Sequence, residues 1–155
     1  MPELERSTTV NAKMADVVEY LADFSHAEQW DSGTKSCTRV GDGPVQVGAL
    51  WRNVSEFRGK DTEIEYRLVR WEPQRLTFEG RNETVTTTDD MTFESEGDNT
   101  RIHYRAGFTF HGFAKLAGPL VKGSLNALAD DTMKQLTEVL GTRPFGTVGR
   151  KPVQG

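Results

Sequence analysis

The segment Phe113–Leu140, FAKLAGPLVKGSLNALADDTMKQLTEVL, decides how the rest of the chain is read. Ala117, Val121, Leu125, Leu128, Leu136 and Val139 recur at helical spacing and fall on one stripe at about 100° per residue. Lys115, Lys122, Asn126, Asp130, Lys134 and Glu138 occupy the opposite face, with Asp130 and Lys134 spaced for an i,i+4 pair on a wet surface. A helix of roughly 28 residues is about 40 Å long. An apolar stripe of that length needs a wide cover. Gly118-Pro119 inside the pattern marks either a kink or the true start of the helix.

The cover comes from what precedes it. Ile102, Tyr104, Ala106, Phe108 and Phe110 alternate with Arg101, His103, Arg105, Thr109 and His111, as a half-buried antiparallel strand requires. Working backwards, Val85, Thr87, Asp89, Met91 and Phe93 share one side of a Thr-rich strand, and Glu96-Gly97-Asp98-Asn99 turns it into the last strand. Leu76 and Phe78 share a face of a short strand ending near Gly80. Thr62, Ile64, Tyr66 and Leu68 alternate with Glu63, Glu65 and Arg67, which read as a solvated stripe. Val47 to about Arg58 places Trp51, Asn53, Ser55 and Phe57 on one side, and Thr34–Val40 is a further strand. Short turns at Gly41-Asp42-Gly43-Pro44, Gly59-Lys60-Asp61 and Glu72-Pro73-Gln74 make the series a meander rather than βαβ units. Before it stand a strand carrying Leu4, Arg6, Thr8 and Val10 on its inner face and two short helices. The first carries Met14, Val17, Val18 and Leu21 with Asn11 as its cap; the second starts at a capping box, Ser25-His26-Ala27-Glu28, and reaches Trp30.

Bulk properties set the class. The chain has 155 residues, enough for one domain with a real core, and a net charge of −4. With a pI of about 5.4, neither nucleic acid nor an anionic membrane is expected as partner. An apolar fraction of 35% and a mean hydropathy of −0.58 fit long strands with one wet face. No apolar run reads as a signal peptide or membrane span, so a cytoplasmic protein is expected, with its oligomeric state open between monomer and homodimer. Cys37 is the lone cysteine, and no HxxxH or HExxH spacing is present, so no disulfide, metal site or cofactor is expected. His103 and His111 lie roughly 26 Å apart along an extended strand. Cys37 reads as a small buried hydrophobe. After Leu140, Gly141, Pro144, Gly146, Gly149, Pro152 and Gly155 appear with Arg143, Arg150 and Lys151, giving a domain over 1–142 and a flexible basic tail over 143–155.

One strand, two small helices, a six-stranded meander and a long closing helix form a helix-grip pattern. With Tyr20-Leu21-Ala22-Asp23-Phe24 before Trp30, Val47-Gly48-Ala49-Leu50-Trp51, Glu72-Pro73-Gln74-Arg75-Leu76 and Asn99-Thr100-Arg101-Ile102-His103-Tyr104, the chain resembles the START-like (SRPBCC) superfamily, and within it the polyketide cyclase/dehydrase-type group, over about residues 1 to 140. The resemblance implies an α+β helix-grip (START/Bet v 1-like) fold: a curved antiparallel sheet of about seven strands around the C-terminal helix. It also implies an apolar or amphipathic ligand held between helix and sheet. No catalytic motif of any branch can be placed residue by residue, so an enzymatic role stays open.

A concave sheet has more inner surface than one helix can fill, so a cavity is expected beside the first half of the helix, near Leu120, Val121, Ser124 and Leu128. Its sheet-side lining is read from strand parity as Trp51, Asn53, Tyr66, Phe78, Thr87, Asp89, Met91, Tyr104, Phe108 and Phe110. Polar residues of the same parity, including Ser55 and Thr62, mean either a wet or ligand-filled interior or a cluster at the sheet's open end. Asp89, if inside, is the candidate acid or base, because desolvation raises a carboxyl pKa; a strand twist would instead turn it to water. Asp90 faces the other way and forms no dyad with it. The primary expectation is therefore a binding protein for a small apolar or aromatic, lipid- or polyketide-like ligand. One alternative is a cyclase or dehydratase using Asp89 and the two tyrosines for proton transfer; another is a protein-interaction module using the exposed sheet face or the tail.

Overall fold

The computed structural model describes residues 3–57, 59–112 and 118–142, the side chains of 118–122 excepted. In chain order these form β1 (Glu3–Val10), α1 (Met14–Ala22), a 3-10 turn (Phe24–His26), α2 (Ala27–Trp30), β2 (Thr34–Val40), β3 (Leu50–Phe57), β4 (Lys60–Glu72), β5 (Arg75–Arg81), β6 (Val85–Glu96), β7 (Asn99–Phe110) and α3 (Gly118–Thr142). The long helix thus has its described start at Gly118-Pro119, where the missing proline N–H costs nothing. The expected earlier start, Phe113–Ala117, and the tail over 143–155 lie outside the described residues.

All seven strands belong to one antiparallel sheet in the order β1-β7-β6-β5-β4-β3-β2. The meander accounts for six neighbours in sequence, and β1 returns to pair with β7, Leu4 opposite Ala106 and Thr8 opposite Ile102. The crossover from β1 to β2 is made by α1, the 3-10 turn and α2. Alternation sets the register: Ile64, Tyr66 and Leu68 are buried on β4 while Glu63, Glu65 and Arg67 are exposed. On the outer face Arg52 meets Glu63 at 2.9 Å, and Asp90 accepts a two-pronged contact from Arg75 at 3.0 and 2.8 Å. A register shift between Leu68 and Arg70 ends the strict alternation and leaves Trp71 exposed near the hairpin.

The two short helices close one end of the sheet. Val17, Leu21, Phe24 and Trp30 pack with Trp51, Phe78, Met91, Leu136 and Leu140 in the main core. Their capping differs from the sequence reading. Lys13, not Asn11, precedes α1, and its side chain makes no capping hydrogen bond. The expected capping box at Ser25 does not form, because Asp23 sits earlier and accepts hydrogen bonds from the Ser25 N–H (3.0 Å) and Oγ (2.7 Å). Glu28 is thereby free to take the Cys37 N–H on the neighbouring strand at 2.7 Å. Asp23 also receives the Trp51 indole N–H at 3.2 Å. Burial works to raise its carboxyl pKa, but the Ser25 hydrogen bonds, the nearby His26 and the Trp51 bond outweigh it and hold the value below the ordinary one. Asp23→Ala is expected to cost about 1–2 kcal/mol in chemical denaturation, since it removes a cap and strands a buried indole N–H.

The far end of α3 is tied to β1. Arg6 Nε reaches Asp130 at 2.8 Å and Thr8 Oγ1 meets Thr137 Oγ1 at 2.6 Å. Asp130 therefore serves the sheet; the expected surface pairing with Lys134 gives way to this contact. A second, smaller apolar cluster, Leu4 and Leu125 with Phe57, Phe108, Phe110 and Ala129, lies at the end of the sheet away from the short helices.

Candidate functional site

Between the concave sheet and the middle of α3 is a cavity of about 320 Å³, within the size range of small-molecule sites. Its wall draws on both apolar clusters. Ile64, Tyr66, Val85, Phe108 and Phe110 come from the sheet, and Leu125, Leu128, Ala129, Thr132 and Met133 from the helix.

The parity reading brought together residues with two different fates. Tyr66, Thr87, Asp89, Tyr104, Phe108, Phe110 and Leu128 line the cavity, as do Ser55 and Thr62. Trp51, Asn53, Phe78 and Met91 share that inward face but do not line it. Trp51 and Phe78 lie under the short helices, where Phe24 covers them with ring centroids at 6.2 and 4.5 Å. Asn53 spends its side chain on Thr34 (3.0 Å) and Ser55 (2.6 Å), and Met91 is fully buried. On the helix side, Leu128 lines the cavity as expected, together with Leu125, Ala129, Thr132 and Met133. Ser124 does not line it, being about 100° around the axis from Leu125. The side chains of Leu120 and Val121 lie outside the described residues.

At the polar side of the cavity, Asp89 stands in the middle of β6 opposite Ala106, whose small side chain leaves the carboxyl facing open space. Burial foremost, then the negative charge of Asp31, pushes its pKa up to about 7, with the Tyr104 hydrogen bond opposing part of the rise. The Tyr104 and Tyr66 phenols are pushed well above their ordinary values, by burial first and by the Asp89 charge next. The half-buried surface of Tyr104 is cavity wall. Thr87 Oγ1 donates to the Tyr66 hydroxyl at 3.4 Å. Tyr66 lies across Gly80, its partner on β5.

Asp31, a residue the sequence did not mark, lines the cavity too, and its charge is felt at Asp89. It ends α2 and accepts hydrogen bonds from Thr34 Oγ1 at 2.6 Å, Thr132 Oγ1 at 3.0 Å and the Gly33 N–H at 3.5 Å. Thr132 had a visible signal: it takes the place between Leu128 and Leu136 on the apolar stripe, so a hydroxyl faces the core there. Asp31 had none beyond a turn-forming Asp-Ser-Gly-Thr sequence.

Other reactive groups stand apart. Burial, with smaller contributions from Glu28, Asp23 and Asp31, pushes the Cys37 thiol up to about 12 against an opposing Asn53 hydrogen bond, which suits a packed side chain rather than a nucleophile. His26 stacks on Tyr20 with ring centroids at 4.2 Å, His103 contacts Ser7 and Glu5, and His111 contacts Thr86. Among the described residues no group of three His, Cys, Asp or Glu side chains could hold a metal ion. No described helix is long and apolar enough to cross a membrane.

With this geometry in view, the chain can be compared with known proteins. An aromatase/cyclase from Streptomyces sp. R1128 superposes with a TM-score of 0.77 at 13% identity, covering 94% of this chain and 98% of that one. A START superfamily protein from Mycobacterium smegmatis gives 0.74 at 14% identity, covering 89% and 96%. A di-domain aromatase/cyclase from the steffimycin biosynthetic pathway gives 0.67 at 10% identity, over 89% of this chain and 50% of that one. At these identities the likeness is one of fold, and it is the helix-grip fold that the order of elements led us to expect. No curated protein sequence matches the chain significantly. The family model for polyketide cyclase / dehydrase and lipid transport proteins matches residues 1–141, and the chain belongs to that family.

Proposed function

We propose that the protein binds a small, mostly apolar or aromatic ligand in the cavity between α3 and the sheet, with the ligand's polar end toward Asp31, Asp89 and Tyr104. The observation that carries this reading is a cavity of about 320 Å³ whose aromatic and aliphatic wall is interrupted by a few convergent polar groups. Filling it with water would leave Phe108, Phe110, Leu125 and Leu128 hydrated; an apolar ligand recovers that area at about 25 cal/mol per Å². Melting the purified protein against a panel of lipids and polyketide-like aromatics tests the reading. A ligand at a hundred times its Kd is expected to add about 2.7 kcal/mol of stability. Uniform silence across a broad panel would count against it.

A second reading, a cyclase- or dehydratase-type proton transfer, is favoured by one specific observation. A buried carboxyl with a pKa near 7 beside two phenols is suited to give and take a proton at neutral pH. The two readings separate cleanly in Asp89→Asn, which keeps the shape of the wall. Under the binding reading the variant retains affinity for a neutral ligand. Under the enzymatic one, turnover of any substrate found falls by about 100-fold or more while binding persists.

A further inference from the structure

We infer that the polar end of the cavity selects a ligand group that donates a hydrogen bond and carries no negative charge, an alcohol, phenol or amine, and that Asp31 sets this selection. The inference rests on the binding reading above. Two carboxyl groups, Asp31 and Asp89, line the cavity. Asp31 is held in place by three donors, one from α3 and two from its own turn, so it cannot swing away from an incoming group. Two of the wall's hydroxyls are already directed elsewhere: Thr132 donates to Asp31 at 3.0 Å and Thr87 to the Tyr66 hydroxyl at 3.4 Å.

Arg6 is the one cationic side chain of the wall among the described residues, and each of its three nitrogens already has an acceptor. Nε meets Asp130 at 2.8 Å, Nη1 meets the Glu5 carbonyl at 2.8 Å, and Nη2 meets Asn126 Oδ1 at 3.1 Å. A ligand carboxylate would therefore lose its water beside two carboxyl groups, with the one cation of the wall already paired to Asp130. A hydroxyl or ammonium meets the partners it needs.

The test is calorimetric titration of the full chain at pH 8 with three probes of equal chain length: octan-1-ol, octylamine and octanoate. The alcohol and the amine are expected to bind, and octanoate to bind at least about tenfold more weakly. Asp31→Asn is expected to narrow that gap by roughly threefold or more, because the turn keeps its acceptor and loses its charge. Should that variant not fold, Asp31→Ser, which retains the turn chemistry, carries the same expectation. Octanoate bound as tightly as octanol by the natural protein, or an unchanged gap in a folded Asp31 variant, would overturn the selection and leave ligand binding standing. Failure of all three probes would instead remove the binding reading on which it rests.

Discussion

Asp89→Asn raises the stability of the protein at pH 8 by about 2–4 kcal/mol, a rise in melting temperature of roughly 5–15 °C. The sign follows from where the proton sits. The Asp89 carboxyl has a pKa of about 7 in the fold against an ordinary 3.8, so the native state holds its proton more tightly than the unfolded chain. Below about pH 4 both states are protonated and the group has no effect. As pH rises from 4 to 7 the unfolded chain ionises freely while the buried carboxyl resists, and the natural protein loses stability. Above 7 the penalty is complete and constant. Asparagine keeps an acceptor for the Tyr104 hydroxyl and carries no charge, so its advantage grows from near zero at pH 4 to a plateau above pH 7. Melting curves from pH 4 to 9 would show it. A variant that is less stable at pH 8, or an advantage independent of pH, would mean that Asp89 is solvated and not the buried acid described above. A residue whose removal stabilises the fold is one retained for another reason, as expected at a functional site.

The second large effect is expected at Gly80. On β5 it lies between Tyr66 and Thr87. A Cβ placed there would come within 2.6 Å of the Tyr66 ring, 2.7 Å of Thr87 Oγ1 and 2.8 Å of Ile64 Cγ2. Glycine normally weakens a strand, so its presence marks a close approach. Here the approach is that of the Tyr66 ring, which takes the volume a side chain would have filled. Valine suits a strand in general but has no room at this position. Gly80→Val is expected to cost about 3 kcal/mol in urea denaturation. It is also expected to push Tyr66 toward the cavity, weakening ligand affinity in the same variant. Unchanged stability would show that Tyr66 does not lie where the structure puts it.

Much of this architecture could be read beforehand, and for a physical reason. β4, β6 and β7 are long and half-buried, so period-two alternation is written in residues such as Ile102, Tyr104, Ala106, Phe108 and Phe110. The strands follow from it, while the closing helix follows from the helical spacing of residues such as Leu125, Leu128 and Leu136. Parity also places Asp89 inward, where it lies buried. Parity cannot divide the inner face into plugged and open parts. Trp51, Phe78 and Met91 obey the same alternation as Tyr66 and Tyr104, and Phe24, brought across by the helical crossover, packs on members of both sets, Trp51, Phe78 and Tyr66 alike. Asp31 was out of reach because a loop carboxylate has no period; its importance comes from Thr132, 101 positions away. Gly80 carried a signal, a glycine inside a strand, but its meaning required knowing that Tyr66 and Thr87 flank it.

The clasp between Arg6 and Asp130 joins residues 124 positions apart. Leu4 and Leu125, on either side of it, face the same hollow. No contiguous half of the sequence therefore carries both walls of the chamber. Closing so long a loop is entropically slow and brings its reward late. A growing chain encloses no hollow until α3 is complete, so the chamber forms after synthesis of both its walls and not alongside it.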